Sequence, residues 1–544
     1  LFAGALLALL AALTRSLLMV YLGILAFFVL WIVAGAMTRD LDNIWIAVIA
    51  DPFGIRALGR TMRYWAAEER NTQLPAVAGY ILANRAVWAT VALGMIAAML
   101  HFFSPTRAGT GKARKGKSMV AVVADLPAAA RTPAAIAVPR GAPRFDRGAT
   151  WAMFRRQLHF DLVGVLKSVP FIVMLAFSVL NFIGNVSFID TLFDTRVYPV
   201  TYLMLEALDG GSGLFLFLIV IFYAGELVFK ERQSKLNEVI DAMPVPNWVP
   251  LAAKCAALAG VVLIFGAIGV LAGIGFQLWR GYTHLELGVY LGSLLIGMVP
   301  YLLMGLAAIA VMVYTQNKFL GFLIVILVFV ARTVLLVLHY EHNLYNFASA
   351  PLAGYSDMNG FGHYLTGWAW FSAYWTLFTL LLLMAASALW SRGQVGSWRD
   401  RRRLAAQKLR GPLGATMAVT ALAWIGVGGY IYYNTNVINT YLPADEQMDL
   451  QARYEREYSK YKDLPHPRIR EVRADVDLHP ETQSARISGS YVLVNPHSVP
   501  ISELHVMMQQ QVELDSIDLA GAELVTYDQP LGYRIYKLKQ PLQP

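Results

Sequence analysis

Some stretches of this chain carry residue types that could do chemistry. Gly111-Lys112-Ala113-Arg114-Lys115-Gly116-Lys117-Ser118 has the spacing G-x-x-x-x-G-K-[ST]. In nucleotide-binding proteins that spacing wraps phosphates with backbone N–H groups at a helix N-terminus. The chemistry needs a buried strand before the loop. Here an apolar segment ending Phe102-Phe103-Ser104-Pro105 precedes it, and no Asp-terminated strand follows. The pattern is read as a coincidence of composition in a basic loop. His339-Tyr340-Glu341-His342 offers two imidazoles and a carboxylate. It lacks the H-E-x-x-H spacing that sets two zinc-binding histidines one helical turn apart, and it is not read as a metal site. No nucleotide-binding residue is assigned. The single cysteine, Cys255, excludes an intrachain disulfide and a thiolate-rich metal site.

Charge patterning points elsewhere. Between Lys230 and Trp248, Leu236, Val239, Ile240 and Met243 recur at helical spacing and make one apolar face. Glu231, Arg232, Lys235, Glu238 and Asp241 cover the other, and Pro244 and Pro246 end the helix. On pattern alone this elbow is an amphipathic strut between two apolar segments. Arg332 lies inside the apolar run Phe319–Leu338. A charge there is expected to face a bundle interior, a cavity or a counter-ion, or to snorkel to the outer interface.

The elements that position these residues are mainly helical. Of 544 residues, 57% are hydrophobic and 15% charged, with mean hydropathy +0.49, the composition of a polytopic membrane protein. About ten spans are expected: Leu1–Leu13, Leu17–Met37, Ile81–Phe103, Val169–Phe188, Leu214–Phe229, Trp248–Phe276, Val289–Tyr314, Phe319–Leu338, Trp368–Trp390 and Leu413–Tyr433. The net charge of +9 does not indicate a nucleic-acid partner, because the basic residues cluster in loops flanking spans. Thr106–Arg156 carries eleven Lys/Arg against Asp125 and Asp146, and Ser391–Arg410 carries seven against Asp400. Both are expected to be cytoplasmic. Alternation then puts Lys230–Asn247 inside, and Ile189–Gly213, His339–Gly367 and everything after Asn434 outside.

A repeat of layout emerges. Leu1–Met37 and Tyr301–Leu338 are each two spans joined by a short polar turn, followed by a Pro/Gly/aromatic loop (Ala50–Gly54; Ala350–Tyr355) and a Trp-bearing span. The expected domains are therefore 1–103, the last three spans of a first bundle; 104–149, a basic linker; 150–168, an interfacial amphipathic helix; and 169–390, a second bundle of six spans. A basic loop (391–412), a tethering span (413–433), an external helical linker (434–466) and a β-domain (467–544) follow. Because Leu1 lies within an apolar run and Pro544 falls within a domain, the sequence is expected to be the middle of a longer protein.

The text Gly225-Glu226-Leu227, Lys230-Glu231-Arg232, Asp241-Ala242-Met243-Pro244-Val245-Pro246-Asn247 and Lys254 resembles the segment between the second and third spans of type-two ABC exporter permeases. The resemblance covers roughly Thr150–Trp390 and, by the repeat, Leu1–Phe103. It implies that the elbow docks on a separate ATPase subunit in the cytoplasm and transmits its closure, so that ATP is hydrolysed by the partner.

After Ala444–Leu464, a charged helix with a stripe of Leu450, Tyr454, Tyr458 and Tyr461, the period changes to two. Strands are expected at Val472–Leu478, Ala485–Val494, Leu504–Met508, Val512–Leu519 and Tyr533–Leu538, giving part of an all-β antiparallel sandwich. The strings Val476-Asp477-Leu478-His479-Pro480-Glu481, Gly489–Asn495 and Leu531–Tyr536 resemble the N-terminal β-domain of zinc aminopeptidases of the aminopeptidase N family. H-E-x-x-H and G-x-M-E-N are both absent from the chain, so no catalytic or metal residue is assigned. The resemblance implies zinc and peptide substrate only for a catalytic domain outside this sequence. Together the two resemblances are similar to bacterial proteins that fuse a duplicated ABC permease to an exported aminopeptidase. The expected setting is the bacterial inner membrane with a periplasmic C-terminal part. The alternative is an anchored peptidase whose bundles do not transport.

Overall fold

The computed structural model describes residues 1–14, 19, 20, 23, 24, 26, 27, 31, 44–103, 146–189, 191, 192, 195–352, 354–390, 397–482, 484–509 and 512–544. Most of the expected span Leu17–Met37, the Arg15-Ser16 turn before it, linker residues 104–145 with the Gly111–Ser118 pattern, and residues 391–396 lie outside the described residues. The fold is mainly helical with small antiparallel sheets at the C-terminal end. Among the described residues, eight helices are long and apolar enough to cross a membrane.

In the first part, α1 (Phe2–Thr14) packs against α5 (Gly79–Phe102). Between them come α2 (Ile44–Ile49), α3 (Ile55–Thr61) and α4 (Ala67–Thr72). The Ala50–Gly54 loop is stitched to α5. Buried Asn84 donates from Nδ2 to the carbonyls of Val48 and Asp51, and Trp88 donates from Nε1 to that of Ile49. Such bonds satisfy loop carbonyls that are shut off from water.

The second part begins with α6 (Arg147–Leu166) and α7 (Val169–Ile189). Then come α8 (Thr201–Gln233), α9 (Asn237–Ala242), α10 (Trp248–Trp279), α11 (Leu287–Thr315), α12 (Lys318–Val337) and α13 (Tyr364–Leu389). Helix α8 is central: Ile219, Val220, Ala224 and Leu227 are buried against Leu258, Val261 and Val262 of α10 and Ala308 and Ile309 of α11. Helix α6 is not merely interfacial. It packs along α10 and buries Val165 and Asp161.

Helix α8 corrects two expectations. It starts at Thr201, so half of the expected outer loop Ile189–Gly213 is helix. The polar, glycine-rich text Glu206–Gly213 lowers the local hydropathy, but Met204 and Ala207 pack with Phe182, and Asn181 donates to the Gly211 carbonyl. Helix α8 also runs on through Glu231 and Arg232, which therefore do not belong to the elbow helix. That helix, α9, is only six residues long. Lys235, at φ 55°, breaks the chain between the two.

The remaining helices are α14 (Trp398–Leu409), α15 (Pro412–Tyr432), with a π-helical turn at Tyr433–Ile438, and α16 (Ala444–Tyr458). Two compact units divide the chain: 1–331 with 347–431, and 332–346 with 432–544. In the second unit, β1 (Arg468–His479) and β2 (Ser484–Val494) form a long hairpin, and β3 (Ile501–Met507), β4 (Ala522–Asp528) and β5 (Tyr533–Leu542) form a sheet in the order β3-β5-β4. All pairs are antiparallel. The hairpin is exposed along nearly its whole length, so the packed core belongs to the three-stranded sheet.

Val512–Leu519 is not a strand. Ile517 and Leu519 pack as loop residues beneath Ile501, Leu504 and Tyr536, while the strand that pairs with β5 is Ala522–Asp528. The expected aromatic stripe does pack: Leu450, Tyr454, Tyr458 and Tyr461 cover Leu531, Tyr533 and Ile535. Gly532, at φ 62°, makes the turn into β5, where a side chain would collide with the Met508 carbonyl.

Candidate functional site

At 1.5 Å rise, the 33 residues of α8 run about 50 Å, well beyond a hydrocarbon core of roughly 30 Å. Its overhanging C-terminal end carries charges that interior helices meet. Lys254, on α10 within a span, has a fully buried side chain. Its Nζ lies 2.5 Å from Oε1 of Glu231 and 3.8 Å from Oδ2 of Asp161 on α6. Asp161 is also fully buried. It accepts a hydrogen bond from Gln157 Nε2 at 2.9 Å and faces Lys230 Nζ at 3.6 Å. Lys230 in turn lies 4.0 Å above the Phe160 ring. Two cations and two carboxylates thus join α6, α8 and α10 directly behind the elbow. Buried charges persist only when paired in this way.

One turn up α8, Glu226 pairs with Lys318 at the start of α12. Gly225 beside it is required by close approach, because a Cβ there would lie 2.6 Å from Cε1 of Phe322. On the far side, Arg401 of α14 is 4% exposed and donates to the carbonyls of Val313 (2.9 Å), Tyr314 (3.2 Å) and Leu389 (3.1 Å). Lys408 donates to those of Ala388 and Trp390. The basic loop therefore caps the C-termini of α11 and α13, where free carbonyls and the helix dipole favour cations. Between these groups and the elbow lies a cavity of ≈ 430 Å³.

The expected site residues separate. Glu231 enters the buried joint; Arg232, Asp241 and Glu231 also line the cavity. Lys235 and Glu238 sit on the elbow, where Leu236, Val239 and Met243 are exposed. Pro244 and Pro246 follow α9, with Met243 extended before Pro244. Arg332, half-buried near the end of α12, is not part of the cavity. Asp161 and Arg401 carry the joint and the cap without having been singled out. The signal was a lone acid and a lone base, Asp161 and Lys254, each embedded in apolar text. A smaller cavity of ≈ 50 Å³ inside the bundle is lined by Asp209, Ser178, Ser212 and Ser293, where the sequence reading placed Asp209 in a loop. Among the described residues, no group of three or more His, Cys, Asp or Glu is placed to hold a metal.

The spans from α7 through most of α12 fall within one segment. Residues 166–335 match the family model of the ABC-2 family transporter protein. The match supports a permease role for this multi-pass chain, and an ATPase subunit is the partner such a permease implies. No curated protein and no solved structure matches the chain. Within the matched residues fall Glu226, Lys230, Glu231, Lys254 and the whole elbow, but neither Asp161 nor Arg401.

Proposed function

We propose that the chain is the membrane part of an ABC exporter in which the elbow, Lys235–Asn247, docks on a separate cytoplasmic ATPase and transmits its closure. The observation that carries this reading is the Glu231–Lys254–Asp161 joint directly behind an elbow that exposes Leu236 and Val239. A rigid ionic link passes a displacement of the elbow end of α8 to α10 and α6 rather than dissipating it in a loop.

The second unit is proposed as the front of an extracytoplasmic aminopeptidase in a bacterial inner-membrane protein. The strand strings quoted above support it. Zinc and peptide substrate would be held by residues outside this sequence.

The test is reconstitution. The protein, extracted gently, should co-purify with an ATPase whose turnover it stimulates, and Glu231→Gln should uncouple stimulation while leaving binding. Absence of any ATPase partner would sink the transport reading and leave the anchored peptidase. Peptidase activity is expected only in a chain extended beyond Pro544, and an extended chain without H-E-x-x-H would end that proposal.

A further inference from the structure

The ≈ 430 Å³ cavity behind the elbow has a wall of two chemistries. Part is apolar, with Met153, Phe160, Val228, Phe229, Met312 and Trp390. The rest holds four cations, Arg156, Arg232, Lys254 and Arg401, against two carboxylates, Glu231 and Asp241. Lys254 is already matched by Glu231 and Asp161. Arg401 donates only to carbonyls, which leaves its charge without a carboxylate among the described residues. Burial and, second, the like charge of Arg232 pull the Arg401 pKa down, and both guanidiniums line the cavity. Arg156 and Arg232 make no ion pair among the described residues.

A surplus of guanidinium beside an apolar wall fits a ligand that is itself divided. Guanidinium matches phosphate oxygens in a two-pronged geometry, and it suits desolvated sites better than ammonium. The cavity lies where α8, α11 and α13 end and α10 begins, near exposed Trp151 and Trp248, and tryptophan marks the headgroup level of a bilayer. Its volume falls within the range of small-molecule sites. That is room for a headgroup and the first methylenes, with the acyl chains remaining in the membrane.

We propose that this cavity binds an acidic phospholipid of the leaflet at the elbow end. The phosphate lies among Arg156, Arg232 and Arg401, and the glycerol-proximal methylenes lie against Met153 and Phe160. Because Ile240, Asp241 and Met243 of the elbow form part of the same wall, the bound lipid bridges the elbow to α6 and α14. This site does not depend on the transport reading.

The test uses the full chain in detergent, with phosphatidylglycerol and phosphatidylcholine added separately and bound lipid counted by native mass spectrometry beside thermal unfolding. The expected result is retention of phosphatidylglycerol over phosphatidylcholine by tenfold or more, on the order of one charge-assisted contact, and a higher unfolding temperature with phosphatidylglycerol. The double variant Arg156→Gln, Arg232→Gln should abolish the preference. Arg155→Gln, on the same helix but outside the cavity, should keep it. Met153→Trp, which fills the apolar part and spares every charge, should reduce retention. Equal retention of both lipids, an unchanged preference in the double variant, or equal protection by inorganic phosphate alone would overturn the proposal.

Discussion

Lys254 Nζ lies 2.5 Å from the Glu231 carboxylate although Lys254 belongs to a membrane-spanning helix and has no exposed side-chain surface. A lone ammonium in that position would be lost to desolvation; the pair, with Asp161 as a second carboxylate, is what allows it. The contact also ties the end of α8 to the start of α10 across the elbow that separates them in sequence.

Removing Lys254 alone should therefore cost more than removing it together with both carboxylates. Lys254→Met, which takes the buried cation from Glu231 and leaves Asp161 with Lys230 alone, is expected to destabilise by about 3–5 kcal/mol, read as a lowered unfolding temperature in detergent. The triple change Lys254→Met, Glu231→Gln, Asp161→Asn should recover much of that loss. Additive losses would show that the charges do not act as a unit.

Arg401→Gln removes the cation that bonds three carbonyls at the ends of α11 and α13. A loss of at least about 3 kcal/mol is expected, since each bond to a charged donor is worth roughly 1.5–3 kcal/mol and Gln can remake only part of the three. Hydrogen exchange should rise in the last turns of both helices. Exchange changes confined to α14 itself would contradict the capping role.

Gly225→Val should clash with Phe322, whose Cε1 would lie 2.6 Å from the new Cβ. Overpacking of this kind costs about 1–3 kcal/mol. Phe322→Ala in the same chain should relieve the clash. If the second change deepens the loss, the two residues do not meet as described.

His505 gives the second unit a pH dependence. Its side chain is 5% exposed, and burial, aided by His466, lowers its pKa below the ordinary 6.5, while Glu503 opposes. Tyr533 and Tyr461 also face the ring. The folded state therefore binds the proton less readily than the unfolded one. Its stabilising contribution is complete above about pH 6.5 and is lost as pH falls from there toward the lower folded value. Hydrogen exchange of β3 and β5 should show this loss, and His505→Gln should flatten it. An unchanged slope in the variant would assign the dependence to another group.

Spans such as Val169–Phe188 and Trp248–Phe276 were legible because every backbone polar group of an apolar run must be satisfied within the helix. The elbow was legible as a place, from Pro244 and Pro246, though not as a length. Glu231 and Arg232 looked like elbow residues because charge alone suggests a loop. Only the overhang of α8 makes them its last turn. The same error in reverse put Asp209 in a loop, where packing of Met204 and Ala207 on Phe182 holds it in a helix.

The sequence by itself determined the membrane class, the positions of most helices, the aromatic stripe Leu450–Tyr461 and the change to antiparallel strands near Pro467. These follow from hydropathy and period, which are local properties of the chain. Tertiary structure alone decided that Asp161, Glu231 and Lys254 are one joint and that Arg401 caps two distant helices. It also gathered Arg156, Arg232 and Arg401 around one cavity. A charge in apolar text announces only that a partner is needed. Which partner it finds depends on which helices pack side by side, and that is set by core contacts made far from it in sequence.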